Sequence, residues 1–290
     1  MKTGFIGLGA MGESMALNLD KAGLLHGVWN RSPQRLQDFP GSEAARRFDT
    51  PETLARECEV VVLCVSADAD VLELVERMAA ELPKDAVVID CSTVSAGTAR
   101  QAAEILAGHG AGFLDCPVSG GTEGAKNATL AIMCGGSPAD FDRVKPVLDA
   151  MGKRCVLMGE VGAGQATKAV NQIMVAGVNQ AVAEGLAFAA AHELDLDKVI
   201  DVVGGGAAGS WMLTNRGPNM ARGTYPLGFK VSLHDKDLAI CQQMAASFDA
   251  QLPIIEMTRI HYERLMAAGH GDEDVSSLYR LKQPLFRSDS

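Results

Sequence analysis

Residues 3–12 read TGFIGLGAMG, and this stretch decides the fold of the N-terminal half of the chain. Its first residues are apolar, as in a short buried strand, and Gly7, Gly9 and Gly12 follow with the spacing G-x-G-x-x-G. Residues 13–19 then continue with helical periodicity. In a strand–loop–helix context this spacing indicates a dinucleotide-binding turn, because the backbone can approach a pyrophosphate and the helix N-terminus donates amides to it. The predicted cofactor-binding residues of the loop are Gly7, Leu8, Gly9, Ala10, Met11 and Gly12.

The end of the second predicted strand indicates which dinucleotide is preferred. Sites that prefer NAD usually carry an acidic residue there, which binds the ribose 2′-hydroxyl. This chain has Asn30, Arg31 and Ser32 instead, and their donors and positive charge suit a 2′-phosphate. The sequence therefore favours NADP(H) as the cofactor, with NAD(H) as the alternative. In the other interpretation, Arg31 only stacks on the adenine or faces solvent.

Short apolar runs alternate with helical segments through the first half of the chain. Such alternation predicts crossover units and an α/β fold with a Rossmann-type, doubly wound, mostly parallel sheet. From about residue 162 strand signals nearly vanish, and residues 163–194 predict one long, largely apolar helix. We therefore predict a dinucleotide-binding domain over residues 1–161 and an all-helical domain over residues 162–290. The strands are expected at 3–7, 27–29, 60–65, 86–90, 112–115, 130–134 and 154–158, and later helices at 199–203, 238–248 and 253–268.

The composition narrows the class of partner. The chain has 290 residues, 47% of them hydrophobic, and a formal net charge of −10, so nucleic acid and anionic membranes are repelled on average. A small molecule is the expected partner. The seven scattered cysteines form no C-x-x-C pair, and the histidines lack metal-ligand spacing, so we expect reduced thiols and no metal site. Without an N-terminal signal pattern or an 18-residue apolar run, we expect a cytoplasmic protein with no membrane partner.

A second candidate binding element ends the strand predicted at residues 112–115. Ser119, Gly120 and Gly121 offer a hydroxyl and two glycine amides, which can form a concave nest for a carboxylate. Taken alone, the segment is as typical of an ordinary tight turn.

The long predicted helix contributes a third element. Lys168 lies in its first turns, and the spacing of three and four residues puts Asn171 and Gln172 on the same face. A single Lys on a helix is usually solvated or extends along apolar surface to reach water. Here the surrounding residues are mainly Ala, Val and Met, which favours a functional polar cluster.

These motifs together closely resemble those of the β-hydroxyacid dehydrogenase family, which includes 3-hydroxyisobutyrate dehydrogenases, tartronate semialdehyde reductases and glyoxylate/succinic semialdehyde reductases. The resemblance spans nearly the whole chain, and four motifs in the same order are far more specific than any one alone. Its carriers are the glycine-rich loop with Met15, Ala16, Asn18 and Leu19, then Ser119, Gly120 and Gly121, then Lys168 with its amide neighbours, then Lys236, Asp237 and Leu238.

The resemblance implies a role for each of these positions. Lys168 is the implied catalytic acid/base, and Ser119, Gly120 and Gly121 are implied to hold the substrate carboxylate. Many relatives have two adjacent Asn residues after the Lys, whereas this chain has Asn171 and Gln172, which leaves open which amide orients the substrate. The positions implied to contact the cofactor are Val65, Ser66, Thr93 and, near the nicotinamide, Lys236.

The expected function is hydride transfer between a nicotinamide cofactor and a small carboxylate-bearing semialdehyde or β-hydroxyacid, in a homodimer or homotetramer. The main alternative is an NAD-dependent dehydrogenase of the 3-hydroxyisobutyrate type. Imine reductases share the architecture but typically lack the Lys, and a 6-phosphogluconate dehydrogenase is usually much longer. A dinucleotide-binding scaffold protein is the non-enzyme alternative, although relatives of that kind have lost the Lys.

Overall fold

The computed structural model describes residues 1–286 and divides the chain into two compact units, Met1–Lys168 and Ala169–Ser290. The division falls inside one long helix. The domain boundary expected between residues 161 and 162 lies at the start of that helix and stays a prediction.

A sheet forms the centre of the first unit. Over residues 1–286 its strands are β1 (Thr3–Ile6), β2 (Leu25–Trp29), β3 (Arg46–Arg47), β4 (Val60–Leu63), β5 (Val87–Asp90), β6 (Gly112–Asp115), β7 (Val118–Ser119), β8 (Leu130–Gly136) and β9 (Gly152–Gly159). Their order is β3-β2-β1-β4-β5-β6-β8-β7, and β9 pairs with β8. The pairings are parallel except for β6 with β8 and β7 with β8. The expectation of a mostly parallel, doubly wound sheet is confirmed.

The central strands are buried on both faces because helices cover the sheet on either side. β1, β4 and β5 are buried along their whole length, which explains why they are nearly continuous runs of apolar residues. Successive side chains of a strand point to opposite faces of the sheet and belong to two separate core clusters. Phe5 and Val62 belong to one cluster, and Ile6 and Leu63 belong to the other. The helices of this unit are α1 (Gly12–Lys21), α2 (Pro33–Gln37), α3 (Pro51–Glu57), α4 (Asp68–Ala79), α5 (Ala96–Ala107), α6 (Gly121–Lys126) and α7 (Pro138–Met151).

The strand order reverses between β1 and β4, which are neighbours at the centre of the sheet. The loops that follow the carboxyl ends of these two strands lead to opposite faces and leave a crevice, which is the usual ligand position in open α/β sheets. The glycine-rich loop begins at this point, directly after Ile6.

Helix α8 (Ala163–Ala191) passes from the first unit into the second. The rest of the second unit is helical: α9 (Leu196–Gly204), α10 (Trp211–Ala221), α11 (Val231–Ala246), α12 (Pro253–Ala267), α13 (Tyr279–Lys282) and the 3₁₀ helices Val275–Leu278 and Gln283–Phe286. The sequence did not predict α10, because Gly217 and Pro218 interrupt its helical pattern. The unit has its own core, which includes Leu186, Leu213, Leu238, Tyr262 and Leu278.

By length and mean hydropathy alone, α8 is apolar enough to cross a membrane. Its buried amides are nevertheless bonded within the second unit: Asn179 Nδ2 donates to the Val275 carbonyl oxygen at 2.8 Å, and Gln180 Nε2 donates to Thr258 Oγ1 at 3.2 Å. These contacts join α8 to the other helices of the second unit, as expected of a helix in the core.

The seven cysteines are free thiols. Burial raises the pKa of Cys91 and Cys116 well above the usual value, which keeps both thiols protonated and unreactive.

Candidate active site

The glycine-rich loop is shaped so that its middle glycine faces open space. A Cβ at Gly7, where φ is +100°, would collide with the Cys64 carbonyl oxygen, and one at Gly12 would collide with the carbonyl oxygen of Gly7. At Gly9, none of the described residues 1–286 would place a heavy atom within 4 Å of an added Cβ. The fold therefore requires Gly7 and Gly12, whereas Gly9 leaves room for a ligand to reach the backbone. This cradle, followed by the N-terminus of α1, fits the pyrophosphate of NAD(P).

The residues after β2 lie against this loop. Asn30 Oδ1 accepts a hydrogen bond from the Leu8 amide at 2.8 Å, and its Nδ2 donates to the carbonyl oxygen of Ser32 at 3.1 Å. Arg31 is 78% exposed and pairs with Asp70, with Nη1 2.8 Å from Oδ1. Arg35, which the sequence did not single out, donates to the Leu8 carbonyl oxygen at 3.0 Å. Two guanidinium groups thus follow β2, where many NAD sites have a carboxylate.

The segments that follow β4 and β5 are joined to each other and to α8. Ser92 Oγ accepts a hydrogen bond from the Val65 amide at 2.9 Å. The Gln165 side chain bridges the second segment, since its Oε1 accepts from the Val94 amide at 3.2 Å and its Nε2 donates to the Ser92 carbonyl oxygen at 2.9 Å. The predicted cofactor residues Val65, Ser66 and Thr93 lie in these two segments.

Lys168 contacts the segment that contains the predicted carboxylate nest. Its side chain is nearly buried, with 7% exposed, and Nζ donates to the Val118 carbonyl oxygen at 2.9 Å. Ser119 follows directly, and Gly120 and Gly121 have φ values of +137° and +62°, a region that favours glycine. The structure thus brings together, within the first unit, two elements that the sequence predicted separately.

Asp115, at the end of β6, holds the start of α8. Its Oδ1 accepts from the Gly162 amide and its Oδ2 from the Gln165 amide, both at 2.8 Å. Burial raises the pKa of this carboxyl to about 6, although the hydrogen bonds from Gly162 and Gln165 lower it in part. The carboxylate therefore satisfies amides that would otherwise lack partners at the helix N-terminus.

Asp90 occupies the corresponding position on the neighbouring strand, since β5 and β6 pair Asp90 with Asp115. Its Oδ1 accepts from the Ser92 amide at 2.9 Å, and its fully buried Oδ2 has no partner among the described residues. Burial raises the pKa of Asp90 to about 7, partly opposed by hydrogen bonds from Ser92.

The helical unit contains the remaining predicted site residues in one polar chain. Asn171 Nδ2 donates to Gln172 Oε1 at 2.8 Å, and Gln172 Nε2 donates to Asp237 Oδ2 at 2.7 Å. Lys236 Nζ lies 3.0 Å from Asp237 Oδ1. His234 Nε2 lies 3.4 Å from the Gln172 carbonyl oxygen. The two predicted amides and Lys236 are therefore linked through Asp237.

Sequence reasoning missed Arg35, Asp115 and Gln165. Arg35 carried a weak signal, since it lies four residues after Arg31. Nothing in the sequence indicated the contacts of Asp115 and Gln165, because their partners are 47 to 73 residues away along the chain. Among residues 1–286, no group of three or more His, Cys, Asp or Glu side chains is arranged to hold a metal ion.

Comparisons with known proteins show the family to which the chain belongs. A family model described as the NAD binding domain of 6-phosphogluconate dehydrogenase matches residues 2–159. A second, described as the NAD-binding domain of NADP-dependent 3-hydroxyisobutyrate dehydrogenase, matches residues 162–282. These family matches, together with the fold and the loop, identify a nicotinamide-dependent oxidoreductase.

Among known proteins, an uncharacterized oxidoreductase of Shewanella frigidimarina is 40% identical over 96% of both chains, and the 2-hydroxy-3-oxopropionate reductase of Escherichia coli is 35% identical over 96% of both chains. A solved structure of Mycobacterium tuberculosis 3-hydroxyisobutyrate dehydrogenase with L-serine superposes with a TM-score of 0.88, at 30% identity, over 97% of this chain and 98% of the other. The chain belongs to the β-hydroxyacid dehydrogenase family and is an NAD(P)-dependent enzyme acting on CH–OH groups.

Proposed function

We propose that the protein reduces the aldehyde group of a small carboxylate-bearing substrate to the corresponding hydroxyacid with NADPH, and that Lys168 is the general acid. The observation that carries this proposal is the 2.9 Å hydrogen bond from Lys168 Nζ to the Val118 carbonyl oxygen, directly before Ser119. A buried cation beside a turn with two glycines is suited to a carboxylate and to an oxygen that gains negative charge.

In the proposed reaction the cofactor, the Ser119 turn and Lys168 each have a separate role. The nicotinamide cofactor, when bound, supplies the hydride in reduction and accepts it in oxidation. Ser119, Gly120 and Gly121 bind the substrate carboxylate, and this fixes the distance between the carbonyl group and Lys168. The Lys168 ammonium gives a proton to the alkoxide oxygen as charge develops there, and in oxidation the neutral amine takes that proton back.

The cofactor preference rests on the residues after β2. No acidic residue follows Trp29 directly, and Arg31 is exposed with Asp70 as its partner. A 2′-phosphate would offer Arg31 a doubly charged partner of matching geometry in place of Asp70. NADP(H) is therefore the favoured cofactor and NAD(H) the alternative.

The other expectations remain part of this proposal. Either Asn171 or Gln172 orients the substrate, and Lys236 lies near the nicotinamide. A homodimer or homotetramer agrees with the large apolar side chains exposed on α8 and α12, namely Val170, Met174, Phe188, Ile254, Met257 and Ile260. The domain boundary at residues 161/162 and a cytoplasmic location belong to the proposal as well.

The loss of absorbance at 340 nm tests the function. Purified protein is mixed with NADPH or NADH and with glyoxylate, succinic semialdehyde, 2-hydroxy-3-oxopropionate or methylmalonate semialdehyde. We expect turnover with at least one of them and a higher kcat/KM with NADPH, because the E. coli relative is a reductase of such a semialdehyde. Arg31→Gln should lower the NADPH/NADH ratio of kcat/KM by about tenfold, as expected when one charge-assisted contact is lost.

Arg56→Gln is the matched control, since Arg56 is also exposed and paired with a carboxylate, that of Glu81. Its ratio should equal that of the wild type. A wild-type preference for NADH would favour the NAD-dependent, 3-hydroxyisobutyrate type of dehydrogenase. Cofactor binding without turnover of any of the four substrates would contradict the proposed substrates and favour the scaffold alternative.

A further inference from the structure

We propose that Asp115 positions Lys168: by holding the first turn of α8, its carboxylate fixes the lysine against the Ser119 turn. This inference rests on the proposed role of Lys168 and adds a residue that has no contact with the reacting atoms.

The contacts of Asp115 with α8 are specific. Its two oxygens accept from the amides of Gly162 and Gln165, the residue before the helix and the third residue within it. Gln165 precedes Lys168 by three residues and therefore lies on the same helical face. The carboxylate thus binds the start of the helix about one turn before the lysine.

The space around the carboxylate is closed. An added Cβ at Gly135 would lie 2.5 Å from Asp115 Oδ1, and one at Gly164 would lie 2.8 Å from Oδ2. Real Cβ atoms are not found so close to other atoms, so both glycines are needed for the helix and β8 to approach this carboxyl group. The start of the helix therefore packs tightly against the Asp115 carboxylate and, at Gly164, against the carbonyl oxygens of Asp115 and Met133 as well.

The same short segment also carries the partner of Lys168. Cys116 donates its amide to the Asp90 carbonyl oxygen at 2.7 Å, and the Pro117 carbonyl oxygen accepts from the Met133 amide at 3.1 Å. Val118 pairs with Ile132 in the sheet. Residues 115–118 are thus fixed along their length. Asp115 binds the start of α8 at one end, and Val118 accepts the hydrogen bond from Lys168 Nζ at the other.

A merely structural carboxylate would stabilise the protein without a preferential effect on the lysine. A positioning residue acts through Lys168, so its removal should matter only while the lysine is present. A double-mutant cycle separates the two roles, because it measures the interaction between two positions rather than the cost of either change.

The cycle compares wild type, Asp115→Asn, Lys168→Ala and the double variant, with NADPH and a turned-over semialdehyde in single-turnover reactions at excess enzyme. Asn keeps the shape but has a single acceptor oxygen, so it leaves the amide of either Gly162 or Gln165 without an acceptor. We expect Asp115→Asn to lower the rate by about 10- to 100-fold, since small displacements of a catalytic group have effects of this size. In the Lys168→Ala background the same change should alter the rate by less than about twofold.

Asp274→Asn is the matched control for loss of a buried carboxylate. Asp274 is fully buried in the second unit and also accepts from backbone amides, those of Phe229 and Ser276 at 2.9 and 3.0 Å. Its change should lower the melting temperature and leave the NADPH dissociation constant and kcat within about twofold. Asp115→Asn should raise the NADPH dissociation constant by a smaller factor than it lowers the rate, because the glycine-rich loop follows a different strand and only Gln165 connects Asp115 to the segment with Thr93.

Equal losses from Asp115→Asn in both backgrounds would overturn the inference, and so would a wild-type rate in the single variant. If Lys168→Ala keeps the wild-type rate, the proposed function of the lysine fails and the inference fails with it. If Lys168→Ala is slow but Asp115→Asn has the wild-type rate, the inference about Asp115 fails while the proposed function of Lys168 stands. Asp115→Ser, which keeps one short acceptor, repeats the cycle if the Asn variant does not fold.

Discussion

The candidate site has two halves, the glycine-rich loop and the region around Lys168, and they differ in whether backbone or side-chain atoms determine their function. The glycine-rich loop is made of backbone: Gly7 and Gly12 allow the chain to fold tightly, and Gly9 leaves space for a ligand. The Lys168 half depends on side chains from separate parts of the chain: Lys168 itself, Asp115, which holds the amides of Gly162 and Gln165, and Gln165, which bonds the backbone of Ser92 and Val94. In the loop, an added Cβ disturbs the fold at Gly7 and Gly12 and the space for a ligand at Gly9. Around Lys168, function depends instead on each contact that orients the reacting group.

The largest expected effect lies in the side-chain half. Lys168→Ala should lower turnover by about 10² to 10⁴, as is typical for loss of a general acid, and leave the NADPH dissociation constant unchanged. Lys168→Arg keeps the positive charge, but arginine stays protonated near neutral pH and cannot accept a proton from the alcohol. Its rate of alcohol oxidation should therefore be as low as that of Lys168→Ala. Steady-state assays and NADPH fluorescence titration measure both quantities.

Lys145→Ala is the control, since Lys145 is an exposed helical lysine paired with Asp149. It should behave as the wild type. Weaker NADPH binding in Lys168→Ala, by as much as turnover falls, would show that the division between the two halves is wrong.

In the glycine-rich loop, an added methyl group is expected to weaken cofactor binding at one position and to lower the stability of the protein at another. Gly9→Ala adds a Cβ where the protein leaves open space, so the melting temperature should stay the same while the NADPH dissociation constant rises at least about tenfold, or 1.4 kcal/mol. Gly12→Ala should instead lower the melting temperature, because its Cβ meets the backbone of Gly7. Thermal unfolding and fluorescence titration are the two measurements.

Gly185→Ala serves as control, because Gly185 also has open space at its Cβ position but lies on α8, far from the loop in sequence. Its NADPH affinity should match that of the wild type. An unchanged affinity in Gly9→Ala would mean that the open space beside Gly9 is not where the cofactor binds.

The smallest expected effect on catalysis comes from Asp90, which is buried beside Asp115 but bonds Ser92 rather than α8. The folded protein holds its proton up to about pH 7, whereas the unfolded chain releases it near the ordinary value of 3.8. Folding therefore binds a proton in this interval, and wild-type stability should fall as pH rises from 5 to 7, by up to about 1.4 kcal/mol per pH unit from this group. Asp90→Asn removes this contribution.

Urea unfolding at pH 5 and pH 7 measures this difference between wild type and variant. The variant should gain stability relative to the wild type at pH 7, and its kcat should fall less than that of Asp115→Asn. A difference in stability that does not change with pH would contradict the assigned pKa. A fall in kcat as large as that of Asp115→Asn would mean that burial, rather than contact with α8, gives these carboxylates their influence.

The same contrast explains what could be predicted from the sequence. The loop from Gly7 to Gly12 was predictable because its function resides in local backbone, and the buried strands were predictable because both faces are apolar. Lys168 was found through its position in an apolar helix and through the family resemblance. Asp115 could not be found, because its role depends on amides 47 and 50 residues further along the chain. The pairing of Arg31 with Asp70 and the bond from Leu8 to Asn30 were hidden for the same reason.

Helix α8 has a further consequence for recombination between relatives. It has 29 residues and so extends about 43 Å without a break, and the division between the two compact units falls within it. A chimera joined at the loop before Ala163 would take Lys168 from one parent and Asp115, Val118 and Ser119 from the other. Even if both parents are active, the chimera would combine the lysine of one with the turn and carboxylate of the other. Crossovers placed after Ala191 would inherit lysine, carboxylate and turn together.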